Sequence, residues 1–260
     1  MSFEIIDFHT HPFIDAEDNI CVHKNILPMS HKEMVNTLDE LGISKFCGSV
    51  ICMTDNENET PWDKIRRNNT AALKLRDLYG DAYIPGFHIH PDYVEESLAE
   101  IRKMASLGVK LIGEIVPSSY GWKNYDTESF SILLDEAEKY NMVVSLHTTG
   151  DDAMDVLVKR HPNLTIVAAH PGEFDRFMRH IARAKMSDNY YLDISGTGIT
   201  RYGMLKRAVD VLGADRILFG TDFPICDPTM YVGALLNDRH LTDSQKEQIL
   251  SQNAKRLLRL

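Results

Sequence analysis

Eight short apolar runs punctuate the chain, and they alternate with longer stretches of helical period. The runs are FEIIDFHTH from Phe3, KFCGSVICM from Lys45, AYIPGFHIHP from Ala82, VKLIGEIVP from Val109, MVVSLHTTG from Met142, LTIVAAHPG from Leu164, NYYLDISGTG from Asn189 and RILFGTDFP from Arg216. Each is rich in Val, Ile, Leu or aromatic residues and stops at a Gly, a Pro or a small polar residue, as a buried strand does. Strands apolar at nearly every position are covered on both faces, and a helix between successive strands makes them parallel. Eight such units favour closure over an open sheet. The expectation is an α/β chain, a (β/α)8 barrel of the TIM type, occupying residues 1–260 as one domain. The 260 residues suit it with little to spare.

The intervening segments carry helix signals. HKEMVNTLDELG from His31 places Met34, Leu38 and Leu41 on one face and stops at Gly42. The segment from Asp92 opens on an acidic cap candidate and ends at Gly108, and SFSILLDEAEKYN, GEFDRFMRHIARAKM and GMLKRAVDVLG repeat the pattern. SQKEQILSQNAKRLLRL closes the sequence as a helix with basic residues in its last turns. MYVGALLN from Met230 is a barrel helix or the seam of a homo-oligomer.

Charge and cysteines narrow the partners. Against 28 Lys and Arg stand 38 Asp and Glu, a net charge of −10, which opposes a general grip on phosphate backbones, so no nucleic-acid partner is expected. Cys21, Cys47, Cys52 and Cys226 form no C-x-x-C pair and read as reduced thiols. The start, MSFEIIDFHTHPF, lacks the basic and then apolar order of a signal peptide, and no apolar stretch approaches the ~20 residues of a membrane helix. A cytoplasmic protein without a membrane partner is expected.

Chemistry gathers at the strand ends. Residues two apart in a strand share a face, so His9 and His11 point together. Glu114 lies near the end of the fourth run, His147 ends the fifth, His170 the sixth and Asp222 the eighth. In a parallel barrel these ends share one rim, where barrel enzymes keep their active sites. Imidazole and carboxylate are ligands suited to zinc, iron or manganese, and six such groups at a water-accessible rim call for a cation.

The motifs D-F-H-T-H at residues 7–11, the strand-end His147, A-H-P-G at 169–172 and F-G-T-D-F-P at 219–224 resemble the amidohydrolase superfamily. Its amidohydrolase-2 branch, of metal-dependent hydrolases and non-oxidative decarboxylases, is the most similar, and the closing NAKRLLRL resembles that branch's last helix. The resemblance implies one or two divalent ions, zinc first with manganese or iron as alternatives. His9, His11, His147 and Asp222 would hold metal, and His170 would be catalytic or a further ligand. Glu114 would bridge two ions or stand behind one. The implied reaction is hydrolysis of an amide, ester or lactone bond in a small molecule, by a metal-bound water whose proton Asp222 takes and returns.

Other residues remain for the substrate. The third run carries a second pair two apart, His88 and His90, which the family pattern does not use for metal and which line a pocket instead. Trp122, with Tyr120, Lys123 and Tyr125, follows the fourth strand, and Arg201, with Tyr202, follows the seventh; Arg201 would suit an anionic substrate. Asp7 is expected to be structural. Three alternatives to hydrolysis stand: non-oxidative decarboxylation, a TatD-like metal-dependent nuclease sharing part of a G-E-I-G strand, and a non-catalytic metal-binding barrel.

Overall fold

The computed structural model describes residues 3–20, 29–198 and 201–260; Cys21 lies outside them. The strands are β1 (Ile5–Thr10), β2 (Ile43–Gly48), β3 (Tyr83–Phe87), β4 (Leu111–Ile115), β5 (Val143–His147), β6 (Thr165–Ala169), β7 (Tyr190–Asp193) and β8 (Ile217–Leu218). They lie side by side in sequence order, each parallel to the next. The ring closes through backbone bonds between the first and last segments. Phe8 N–H donates to the Phe219 carbonyl, Asp222 N–H to that of His9, and His11 N–H to that of Phe223, each at 2.8 Å. This is the (β/α)8 barrel expected from the eight runs.

Helices α1 (His31–Glu40), α2 (Pro61–Tyr79), α3 (Val94–Ser106), α4 (Glu128–Lys139), α5 (Asp151–Arg160), α6 (Phe174–Ala184), α7 (Met204–Leu212) and α8 (Pro228–Leu236) separate or follow the strands. The closing segment is the one continuous helix expected there, running as α9 (Asp243–Glu247), a π-turn (Gln248–Gln252) and α10 (Asn253–Leu258). Asn253 Nδ2 donates there to the carbonyls of Ala214 and Ile217, which ties the segment to the base of β8. α2 is capped by Thr60 and opens on Pro61, yet its buried face mixes Lys64, Asn68 and Asn69 with Ile65, Ala72 and Leu75. Those polar residues blur the apolar period by which helices are recognised. The acidic cap expected at Asp92 is absent: α3 starts at Val94, and Asp92 N–H instead donates to His90 Nδ1. No helix among the described residues is long and apolar enough to cross a membrane.

Two apolar layers result. Inside the ring, Ile6, Phe8, Cys47, Leu111, Val143, Val167, Tyr191 and Leu218 form one cluster, floored by Ala254 and Leu258 of α10. The larger cluster fills the space between strands and helices. Strict alternation would put Glu114 on the same side as Ile112, but Ile112 belongs to the outer layer and Glu114 faces inward. The register of β4 slips between Ile112 and Ile115, and that of β1 slips between Asp7 and Thr10. Each slip is an extra residue that re-aims the side chains after it, as bulges do beside active sites. Lys110 stays at the far end, where its Nζ donates to the Tyr140 carbonyl.

The run from Arg216 gives only a two-residue strand: the Phe219 N–H donates to the Ile249 carbonyl of the closing segment, and the backbone then turns left-handed at Asp222, with φ 65°. Asp7 anchors this departure. Its Oδ1 accepts from the backbone N–H groups of His9 and Thr221, each at 3.1 Å, and its Oδ2 accepts from the Thr221 hydroxyl at 2.6 Å. Burial, working against those hydrogen bonds, pushes its carboxyl up to about 7. Asp7→Ala leaves three buried donors without an acceptor and is expected to cost on the order of 2–3 kcal/mol, measured as a lowered urea midpoint at unchanged slope.

Candidate metal centre

Six side chains from five strand ends meet above the inner apolar layer. His9 Nε2 and His11 Nε2 stand 3.2 Å apart. Glu114 Oε2 lies 3.5 Å from the former and 3.3 Å from the latter, and Asp222 Oδ1 lies 3.5 Å and 3.2 Å from the same two nitrogens. The other oxygen of Glu114 faces a second pair, with His147 Nδ1 at 2.9 Å and His170 Nε2 at 3.3 Å. Three overlapping triads have the proximity to hold a metal ion: His9, His11 and Glu114; Glu114, His147 and His170; His9, His170 and Asp222.

The chemistry of this set fits a cation. Asp222 Oδ1 is buried and accepts no hydrogen bond, a costly state for a carboxylate oxygen unless a positive charge meets it. His11 donates from Nδ1 to the Ser49 carbonyl at 3.2 Å, and His9 from Nδ1 to Asp193 at 2.8 Å, so both turn their Nε2 atoms inward. Such outer partners are how ligand imidazoles are oriented. When bound, a divalent ion would act as a Lewis acid on a substrate oxygen.

Protons meet the same demand in the metal-free chain. Burial alone would lower His9, yet Asp193 and Glu114 hold it well above the ordinary imidazole value. His11 is likewise lowered by burial but raised by Asp222 and Glu114, with a net value of about 9. Glu114 is pushed up by burial and pulled further down by His9 and its other imidazole neighbours, to well below the usual carboxylate range. His170 is raised, Glu114 outweighing burial.

Exposure is graded across the cluster. The side chains of His9, His11 and Glu114 are at most 3% exposed, whereas His170 is 14% and His147 38% exposed. Solvent therefore reaches the centre past His147 and His170. Both His170 and Asp222 are non-glycine residues held at positive φ, 68° and 65°. That conformation costs about 1–2 kcal/mol per residue, and such strain gathers at functional sites.

The expected substrate residues are more dispersed. His88 is buried beside His11 and Glu114; its Nε2 donates to the Val50 carbonyl at 3.0 Å, its Nδ1 has no partner, and burial lowers it to about 4. His90 has both ring nitrogens engaged by backbone, at the Tyr120 carbonyl and Asp92 N–H. Trp122 is buried against Tyr125 and Phe130, and Tyr120 and Tyr125 are buried with it. Arg201 is exposed and paired with Glu173. None of His90, Trp122 and Arg201 makes a hydrogen bond, ion pair or ring contact with the six. The structure adds Asp193 and Ser195, which sequence reasoning passed over. Asp193 ends β7 as His147 ends β5, and that terminal position in an apolar run was the signal available.

The amidohydrolase family model, the amidohydrolase-2 group, matches residues 6–260. The chain belongs to this family. No curated protein sequence gives a significant match. Among solved structures, the chain is similar to 2,6-dihydroxybenzoate decarboxylase from Rhizobium (TM-score 0.75, 17% identity, 99% of each chain covered). It is also similar to a dihydroxybenzoic acid decarboxylase from Polaromonas solved with bound manganese (TM-score 0.69, 16% identity, 100% of this chain and 98% of that one). A third is a putative amidohydrolase from Staphylococcus aureus (TM-score 0.74, 19% identity, 99% and 100%). At these identities the likeness establishes the shared barrel.

Two outcomes follow for chelator-treated protein. His11 is raised from 6.5 to about 9, so its stabilising contribution is fully present below pH 6.5 and lost as pH rises through about 9. Asp7, raised from 3.8 to about 7, loses its contribution between those values, below the window of His11, so urea melts should show the fall from near neutral to alkaline pH that His11 causes. Separately, Asp222→Gly should be about 1 kcal/mol more stable than Asp222→Ala, because only glycine adopts the left-handed backbone without strain.

Proposed function

We propose that the chain is a divalent-metal-dependent enzyme that removes CO2, without oxidation, from a small aromatic or unsaturated carboxylic acid. The observation that carries the metal-dependent part is the buried Asp222 oxygen without a hydrogen bond, set among imidazoles whose Nε2 atoms converge on it. Support for decarboxylation over hydrolysis comes from the decarboxylases among the similar structures, including the Polaromonas protein with its manganese. His9, His11, His147 and Asp222 would hold the cation, with Glu114 between the two imidazole pairs. Manganese or zinc suits this nitrogen and oxygen set.

The protein's own groups account for the rest of the reaction. The carbon–carboxylate bond breaks, its electron pair stays on the substrate carbon, and CO2 leaves. That carbon then takes a proton, which Asp222 carries, while His170 beside Glu114 orients the substrate or relays the proton. The buried floor of the site keeps bulk water from the reacting carbon, and the open side at His147 admits the acid. His88, with its unpartnered Nδ1 beside the centre, is the substrate contact from the third-strand motif. Arg201 would serve a substrate carboxylate only by leaving Glu173, and His90 and Trp122 support the wall behind.

Hydrolysis is the second reading, and one observation favours it. The two oxygens of Glu114 face different imidazole pairs, the arrangement that would bridge two cations as a clamp on attacking and leaving oxygens. The deciding experiment incubates metal-free, manganese-loaded and zinc-loaded protein with hydroxybenzoates and unsaturated acids, measuring CO2, and with esters, lactones and amides, measuring acid release. Decarboxylation requires CO2 from loaded protein, none after chelation, and at least 1,000-fold less from a folded Asp222→Asn variant, on the order expected for a lost proton carrier. Acid release without CO2 selects hydrolysis. Turnover by metal-free protein would overturn both.

A further inference from the structure

A single carboxylate reaches two imidazoles of the centre that come from different strands. Asp193, fully buried at the end of β7, places Oδ2 2.8 Å from His9 Nδ1. Its Oδ1 accepts from the backbone N–H of Ser195 at 2.9 Å and from the Ser195 hydroxyl. A serine hydroxyl has one hydrogen to give, and here it is committed to Asp193. The remaining lone pairs of Ser195 Oγ face His9 Nδ1 and His170 Nδ1, each at 3.1 Å.

A ring nitrogen facing a lone pair must carry the hydrogen. His9 and His170 are thereby both held with the proton on Nδ1, which leaves their Nε2 atoms directed at Glu114. The approach is tight enough that the next residue must be bare. Gly196 has φ +61°, and a Cβ there would lie 2.3 Å from His170 Nδ1. The Gly196 carbonyl accepts from the Tyr231 hydroxyl at 2.6 Å, which pins the loop in place.

We infer that Asp193 and Ser195 are a positioning pair that sets the tautomers of His9 and His170 together, and through them the affinity of the centre for its cation. Neither residue is among the six groups that would meet the metal. The inference rests on the metal-centre reading given under the proposed function. Asp193 acts on the His9 ring directly and on the His170 ring through Ser195, and its Oδ1 also accepts from the His170 backbone N–H at 3.4 Å. Loss of the serine therefore frees one imidazole, and loss of the carboxylate frees both.

The test reads nitrogen chemistry and metal affinity, not turnover. In zinc-loaded protein with 15N-labelled histidine, long-range 1H–15N spectra should show His9 and His170 both protonated at Nδ1. Mn2+ affinity, read from the free-ion electron paramagnetic resonance signal, should fall about 10-fold in Ser195→Ala and nearer 100-fold in Asp193→Asn, the span seen when outer partners of ligand imidazoles are lost. Ser195→Ala should also release His170, and not His9, from the Nδ1-protonated form. Folded variants with wild-type affinity would overturn the inference, as would His170 protonated at Nε2 in the wild type. If the variants do not fold, the wild-type spectrum alone decides. A wild type that takes up no divalent ion defeats the metal-centre reading instead; the tautomers, read on metal-free protein at alkaline pH, still judge the pair.

Discussion

The buried charge of Glu114 organises the upper half of this barrel. A carboxylate 3% exposed is tolerable only with positive or hydrogen-bonding partners around it, and four imidazoles supply them from β1, β5 and the end of β6. Those imidazoles need fixed orientations in turn, which Ser49, Asp193 and Ser195 provide. The left-handed turns at His170 and Asp222 are the backbone cost of bringing the last two groups within range. Below this polar tier the ring is filled by apolar side chains from nearly every strand, so the structure divides into a floor that holds the barrel and a tier that does chemistry.

Much of that division was legible in the residues. Apolar runs located all eight strands, because a strand buried on both faces has nowhere to hide a polar residue except at its ends. The same logic singled out His9, His11, Glu114, His147, His170 and Asp222, which the fold does bring together. Period-two counting paired His9 with His11 correctly but failed inside β4, since a bulge is a property of pairing between strands and leaves no mark in either strand's own pattern. Asp193 escaped notice although it closes an apolar run as the others do, and Ser195 carried no signal at all. α2 was obscured because its inner face meets loops through Asn68 and Asn69 and not through apolar contacts alone.

Family membership fixes the architecture and leaves the bond that is broken to local groups. Hydrolysis is the reaction that the family resemblance implies first, with decarboxylation among the alternatives. The similarity to the Rhizobium decarboxylase nevertheless runs over 99% of both chains, so architecture does not separate the two chemistries. On the proposed readings, what would separate them is how many cations Glu114 would span and which substrate atom Asp222 would reach.

The gradient of exposure from His9 to His147 gives the centre a direction. A group sealed beneath and open on one flank has a front door and a back wall, and whatever enters must leave by the same route. On the decarboxylase reading proposed above, traffic would be sequential: a departing gas molecule and an incoming acid would compete for one passage. Selectivity in such an arrangement belongs as much to the threshold at His147 and His170 as to the buried groups behind it.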